Sequence, residues 1–294
     1  MIKYHPGKFY NEYKSHFSDE KLKLKFKEQY ESCTWKNIQQ TDDEGNFSVQ
    51  LPEKMAIEFG NMCATLSNKI NNLTVVDVGA AEGLYSIIPL HHFSKLQVVA
   101  FEPDIIRAKV FQRNLYEYKE LYNQYDWDKD IQFDLFDCIV SDGKDECVTL
   151  RHYECEKTGG GAGSSTTVKV NRPNRKSIDI KCETINLDNM IGFCEKVDIL
   201  KIDVEGGEVD VLRGAENFIQ IYKPIIFLEV HLGPKFGNVD PQEVFSLIEA
   251  CKIEYKIKQI GNPISLGNED GLVYFILIPS FLFKNPPSME EENK

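Results

Sequence analysis

The sequence predicts a doubly wound α/β fold: a mostly parallel sheet with helices on both faces, an antiparallel C-terminal strand, and a mostly helical N-terminal extension. Three observations predict it. First, Leu73-Thr-Val-Val-Asp-Val-Gly-Ala-Ala-Glu-Gly-Leu-Tyr85 is an apolar, β-branched run that breaks at Gly79 and Gly83 into a turn and a helix. A parallel strand buried on both faces enters a ligand-binding loop in this way. Second, the next apolar run, Leu96 to Phe101, ends in Glu102-Pro103 about 20 residues beyond the turn, where nucleotide-binding folds place a carboxylate for ribose hydroxyls. Third, Val197 to Ile202 and Pro224 to His231 repeat the pattern of a buried strand with polar ends, the first closing in Asp203 and Glu205 and the second in Glu229 and His231.

Composition bounds the reading. The 294 residues are enough for one large α/β domain plus an extension, and 42% hydrophobic with 27% charged residues is ordinary for a soluble protein. No apolar run is long enough to span a bilayer, and the first residues lack a signal-peptide core, so the expected location is cytoplasmic. A net charge of −12 disfavours broad contact with a nucleic-acid backbone. The eight cysteines are scattered without a Cys-x-x-Cys pair and read as free thiols.

In chain order, residues 1–70 form the expected helical extension or cap. Leu22, Phe26, Tyr30 and Cys33 fall at helical spacing after a Ser18 cap, and Pro52 suits the start of a helix running towards Ile70. The domain proper is expected over 71–284, with a disordered acidic tail over 285–294. Beyond the glycine turn, Leu84, Ile87 and Ile88 give a short helix that Pro89 distorts or shortens. Ile105, Ala108, Phe111 and Leu115 mark a longer helix. Gln132 to Leu150 alternate as strands around a Ser141-Asp-Gly-Lys-Asp turn, which would set Asp142 near an adenine. The glycine-rich stretch Lys157 to Thr167 is a linker or a substrate-closing loop. Val209, Leu212 and Ile219 give a helix after Asp203. Asp240 caps another with Val244, Leu247, Ile248 and Cys251 on one face. Tyr255 to Ile260 and Leu272 to Ile278 pair antiparallel to finish the sheet.

Asp77-Val-Gly-Ala-Ala-Glu-Gly83, Phe101-Glu-Pro103, Lys201-Ile-Asp-Val-Glu-Gly206, Val211-Leu-Arg-Gly-Ala215 and Leu228-Glu-Val-His231, in that order, resemble the successive motifs of FkbM-type methyltransferases. The resemblance spans about residues 70–280. It implies a Rossmann-like class I methyltransferase sheet of seven strands, S-adenosylmethionine as cofactor, and O-methylation of hydroxyls on sugars or natural products. The chain departs at Ala81-Glu82, where the family usually has Asn followed by an apolar residue.

The resemblance implies that Asp77, Gly79, Ala81 and Gly83 form the cofactor turn and that Glu102 holds the ribose. Asp142 is a further cofactor candidate, and Glu102 also fits a helix-start carboxylate. Methyl transfer to a hydroxyl needs alignment and a base. Asp203, Glu205 and His231 are the candidates, because they end adjacent strands at the cofactor edge. The ligand types of Asp203, Glu229 and His231 also permit a divalent metal. The expected partner is a small-molecule or carbohydrate acceptor, including a nucleotide sugar, with no nucleic acid. Two other readings remain at this point. One is a nicotinamide-dependent oxidoreductase, although Gly-x-Gly-x-x-Gly is missing; the other is an inactive cofactor-binding module.

Overall fold

The strand that enters the glycine turn is buried at every position from Leu73 to Val78, as its unbroken apolar run requires. The computed structural model that shows this describes residues 2–5, 39–41, 47–49, 54–121, 130–153, 165–166, 177–267 and 270–283. Its strands in chain order are β1 (Ile2–His5), β2 (Gln39–Thr41), β3 (Phe47–Val49), β4 (Asn72–Val78), β5 (Lys95–Phe101), β6 (Ile131–Phe136), β7 (Ile139–Val140), β8 (Cys147–Tyr153), β9 (Ser165–Thr166), β10 (Ser177–Ile185), β11 (Ile199–Ile202), β12 (Ile225–Leu232), β13 (Tyr255–Gly267) and β14 (Asp270–Pro279).

Eight of these make the central sheet, in the order β1-β6-β5-β4-β11-β12-β14-β13. Pairs from β1 to β12 are parallel, and β14 runs antiparallel to both β12 and β13. From β6 to β13 along the sheet the order is that of the seven-stranded class I methyltransferase sheet, and β1 adds an eighth strand at its edge. The order reverses at β4, whose neighbours are β5 on one side and β11 on the other. In an open α/β sheet the crevice at such a reversal, outside the strand C-terminal ends, is where ligands bind.

Two apolar layers flank the sheet. On one face, Met55, Phe59 and Cys63 of helix Lys54–Ser67 and Phe111 and Leu115 of helix Ile105–Leu121 meet Val75, Val98 and Phe133. On the other, Val211, Leu212, Phe218, Val244 and Ile248 from helices Glu208–Arg213, Glu216–Tyr222 and Pro241–Ala250 meet Val76, Val99 and Leu200. Each such large side chain contributes on the order of 1.5–3 kcal/mol by leaving water. Helix Leu84–Ile87 gives way to a 3₁₀ turn over Ile88–His91, as Pro89 demands. Asp240 caps helix Pro241–Ala250, accepting a hydrogen bond from Gln242 N at 2.9 Å.

The N-terminal region differs from the expected extension. Ile2–His5 is a strand of the central sheet, paired with β6, and helix Lys54–Ser67 is a core layer, so its described parts belong to the domain rather than standing outside it. β1 is tied down by Tyr4 Oη donating to Asp137 Oδ2 at 2.7 Å and by His5 stacking on Phe136. The helix expected over Leu22 to Cys33, the tail over 285–294 and most of the glycine-rich stretch lie outside the described residues. The strands on either side of the Ser141 turn form, but they pair with β10 rather than with each other, in a small sheet ordered β7-β10-β8-β9. Its strand β10 was not anticipated, although Ile178, Ile180 and Cys182 alternate with polar residues. Among the described residues six cysteines are free, and burial pushes the Cys63 and Cys138 thiols up to about 12.

Candidate active site

The site begins where β4 and β11 leave the sheet. Gly79 takes φ +77°, and a Cβ there would sit 1.8 Å from the Asp203 carbonyl oxygen. This glycine is required by the neighbouring strand's exit, which brings the turn against Asp203. Gly83, at φ +90°, is required by packing, since its Cβ would enter the Phe111 ring. Ala81 lies between them at φ +49°. Asparagine tolerates this left-handed conformation better than alanine, which accounts for the family's usual residue. Glu82 also has a place: its Oε1 faces Arg107 Nε at 3.8 Å.

Glu102, at the end of β5, turns its carboxylate back to this loop. Oε2 accepts from Ala81 N at 2.7 Å and Oε1 from Asp104 N at 2.8 Å. Burial pushes its carboxyl up to about 8, against the pull of Arg107. Arg107 itself is held above its ordinary value. Burial opposes its charge, and Glu82, Glu102, Asp104 and Glu205 outweigh that. It thus joins the Glu102 side of the crevice to the Glu205 side.

A buried lysine holds the centre. The β4–β11 register sets Lys201 directly beside Asp77. Its Nζ donates to Gly79 O at 2.7 Å and lies 3.3 Å from Asp77 Oδ1 and 3.5 Å from Asp203 Oδ2. Tyr85 covers it, ring centroid 5.0 Å from Nζ. Burial alone would drive its proton off, but Asp77, Asp203 and Glu229 hold Lys201 above the usual lysine range. Asp77 is fully buried and also accepts from Ser86 Oγ at 2.7 Å, so it orients the turn from beneath.

Beyond Lys201 the acidic strand ends meet one imidazole. Glu229 and His231, two residues apart on β12, face the same side, as extended geometry requires. His231 Nε2 lies 3.4 Å from Glu229 Oε1, 3.7 Å from Glu205 Oε2 and 4.0 Å from Asp203 Oδ1. Its Nδ1 is 2.8 Å from Oε1 of Glu208, a fully buried residue opening helix Glu208–Arg213. That oxygen also accepts from Gly206 N at 3.0 Å. Burial disfavours the charged ring, yet Glu208, Asp203 and Glu229 raise His231 to about 10. Glu205 reaches the cluster from a left-handed backbone at φ +54°. Such strain in a non-glycine residue persists only where surrounding contacts hold it, and it concentrates at functional sites.

Of the residues picked out from sequence, Asp77, Gly79, Asp203, Glu205, Glu229 and His231 converge, and Ala81 and Glu102 bond to each other at the same edge. Asp142 makes its contacts elsewhere. Its carboxylate is bound by Lys144 Nζ at 2.5 Å, which lowers its pKa, and its Cα lies against Gly214. Three residues of the candidate site were not picked out from sequence. Lys201 was visible as a charge inside an apolar strand, Glu208 only as an acid at a helix start, and Arg107 by no local signal.

The methyltransferase FkbM domain model matches residues 77–255. The chain is 27% identical over 117 residues to the hexuronic acid methyltransferase AglP of Haloferax volcanii, covering 38% of this chain and 46% of that one. It is also 27% identical over 181 residues to the methyltransferase sdnD of Sordaria araneosa, covering 54% of this chain and 66% of that one. The chain therefore spans about half to two thirds of the length of these relatives. A solved FkbM methyltransferase from Methylobacillus flagellatus superposes with a TM-score of 0.42 at 17% identity, over 70% of this chain and 44% of that one. Among the described residues no helix is long and apolar enough to cross a membrane.

Proposed function

Because the chain belongs to the FkbM methyltransferase family, we propose that it is an S-adenosylmethionine-dependent O-methyltransferase acting on a hydroxyl of a sugar or related natural product. The observation that carries this reading is the cluster of Asp203, Glu205 and His231 beside the glycine turn. A hydroxyl is a poor nucleophile until its proton is taken, and a carboxylate of this cluster is of the right kind to take it. The name of the Haloferax relative favours a sugar acid, and a nucleotide-linked sugar fits the same class. The acidic balance of the chain favours a small acceptor over nucleic acid.

The residues present fit the cofactor. Glu102 sets a carboxyl group at the end of β5 with both oxygens anchored by backbone N–H groups and with hydrogen-bonding capacity left for the ribose hydroxyls. The acidic set around Asp203 suits a cation. When bound, S-adenosylmethionine supplies an electrophilic methyl group on a sulfonium. In this reading Asp203, pinned through Lys201, accepts a hydrogen bond from the acceptor hydroxyl and orients it. Glu205 takes the proton. With no ion bound, His231 keeps its own proton near neutrality, raised by Glu208 and its acidic neighbours, which disfavours it as the base.

Incubation with labelled S-adenosylmethionine and a panel of free sugars, uronic acids and nucleotide sugars tests the reading. The expected product carries one added O-methyl group, located by mass spectrometry and NMR. Methyl transfer to nitrogen or carbon, or none with cofactor bound, overturns it. Glu205→Gln is expected to lower kcat by about 100-fold or more while cofactor affinity stays unchanged.

A further inference from the structure

One atom each from Asp203, Glu229 and His231 come together within 4.8 Å of one another at the ends of β11 and β12. Donors that share an ion at about 2.1 Å stand roughly 3 to 4 Å apart. His231 Nε2 is already 3.4 Å from Glu229 Oε1 and 4.0 Å from Asp203 Oδ1. Both separations exceed the ~2.7–2.9 Å of a charge-assisted hydrogen bond and match the edges of a coordination polyhedron.

A second observation points the same way. Glu208 grips His231 Nδ1 at 2.8 Å and so aims Nε2 at the two carboxylates. A carboxylate behind the far ring nitrogen is the usual support of a metal-ligating histidine. The other oxygen of Glu208 is buried and, among the described residues, has no hydrogen-bond partner. Four carboxylates, Asp203, Glu205, Glu208 and Glu229, surround this one ring. Glu208 and Glu229 are buried and Lys201 offsets only one of the four, Asp203, so the negative charge left around the ring draws a further cation.

We propose that Asp203, Glu229 and His231 bind a divalent metal ion, with Glu208 as the positioning residue. One imidazole and two carboxylates suit a first-row transition ion such as Mn²⁺ or Zn²⁺ better than Ca²⁺. Binding releases the Nε2 proton to solvent. Glu205 stays outside the triplet and takes the hydroxyl proton of an acceptor that joins the ion. That last step rests on the O-methylation reading, whereas ion binding does not.

The test is titration of chelator-treated full-length protein with Mn²⁺, followed by calorimetry and by the paramagnetic resonance signal of the free ion. One saturable site per chain is expected. Asp203→Asn and Glu229→Gln should each weaken it at least about tenfold, and Glu208→Gln by roughly 10–100-fold. Circular dichroism reports whether each variant is folded. Asp203, a quarter exposed, can change to asparagine without opening the core. Absence of saturable Mn²⁺ binding in the wild type overturns the proposal, and so does unchanged affinity in folded Asp203→Asn. A parallel titration with S-adenosylmethionine separates the two readings: cofactor binding without Mn²⁺ binding removes only the metal, and Mn²⁺ binding without cofactor binding removes only the methyltransferase reading.

Discussion

At the scale of single residues, the site depends on a lysine that the core should reject. Lys201 is fully buried, and Asp77 beside it is equally so. Lys201→Met would leave Asp77 charged, buried and without its counter-ion, a change that costs about 3–5 kcal/mol. Urea denaturation should show that loss, and the double variant with Asp77→Asn should recover a measurable part of it. His231 gives a second prediction. Its folded value stands near 10, above the ordinary 6.5, because Glu208 and its neighbours overcome burial. The stability it contributes is therefore fully present below about pH 6.5 and is lost as pH rises through about 10. Thermal melts of chelated protein between pH 7 and 10 should show a decline that Glu208→Gln flattens; a pH-independent wild type would refute it. The acids at the strand ends were legible in the sequence because each interrupts an apolar run at its C-terminal end. Glu208 and Arg107 were not, since their partners come from elsewhere in the chain and a helix-start acid has an ordinary explanation in the macrodipole.

At the scale of elements, the deciding feature is the crossing of the β4 turn over the exit of β11. Both segments read from sequence as strands ending in ligand loops, but sequence could not say that they touch. Asp203 N donates to Val78 O at 3.1 Å, extending the pairing of β4 and β11 one residue into the site. Gly79 then lies against Asp203 itself, so the glycine read as a ligand approach is also the contact that fixes a candidate catalytic loop. Gly79→Ala would drive its Cβ into the Asp203 carbonyl from a backbone at φ +77°. Loss of at least about 2 kcal/mol of stability is expected, because the obstacle is backbone rather than a mobile side chain. Cofactor affinity and turnover should fall together, in contrast to Glu205→Gln, where only turnover falls. Calorimetric binding beside steady-state kinetics distinguishes the two. Strand β10 shows the opposite limit: its alternation was present in the sequence, but no local pattern announces its pairing with β7 and β8.

At the scale of the whole molecule, the sheet must protect two edges, and it does so differently at each. The β13 edge is long, but it carries Lys256 and Lys258 and has register shifts between Ile260 and Ile264 and between Ser265 and Gly267. Charges and bulges of this kind discourage pairing with another sheet. The β6 edge carries a single charge, Asp134, within its buried run of Ile131, Phe133 and Leu135. Here β1 covers it, pairing four residues in parallel across about 130 positions of sequence. The seven-stranded sheet from β6 to β13 was implied by the family resemblance, whereas β1 was not, because four residues near the terminus, Ile-Lys-Tyr-His, carry too little pattern to declare a strand. Deleting residues 1–5 should remove about 2–4 kcal/mol, at roughly 1 kcal/mol for each ladder hydrogen bond and for the Tyr4–Asp137 bond. It should also leave β6 open to pairing with a second copy. A lower urea midpoint together with concentration-dependent light scattering is the expected result. A truncated protein as stable and monodisperse as the full chain would show that β1 is an ornament on the edge rather than its cover.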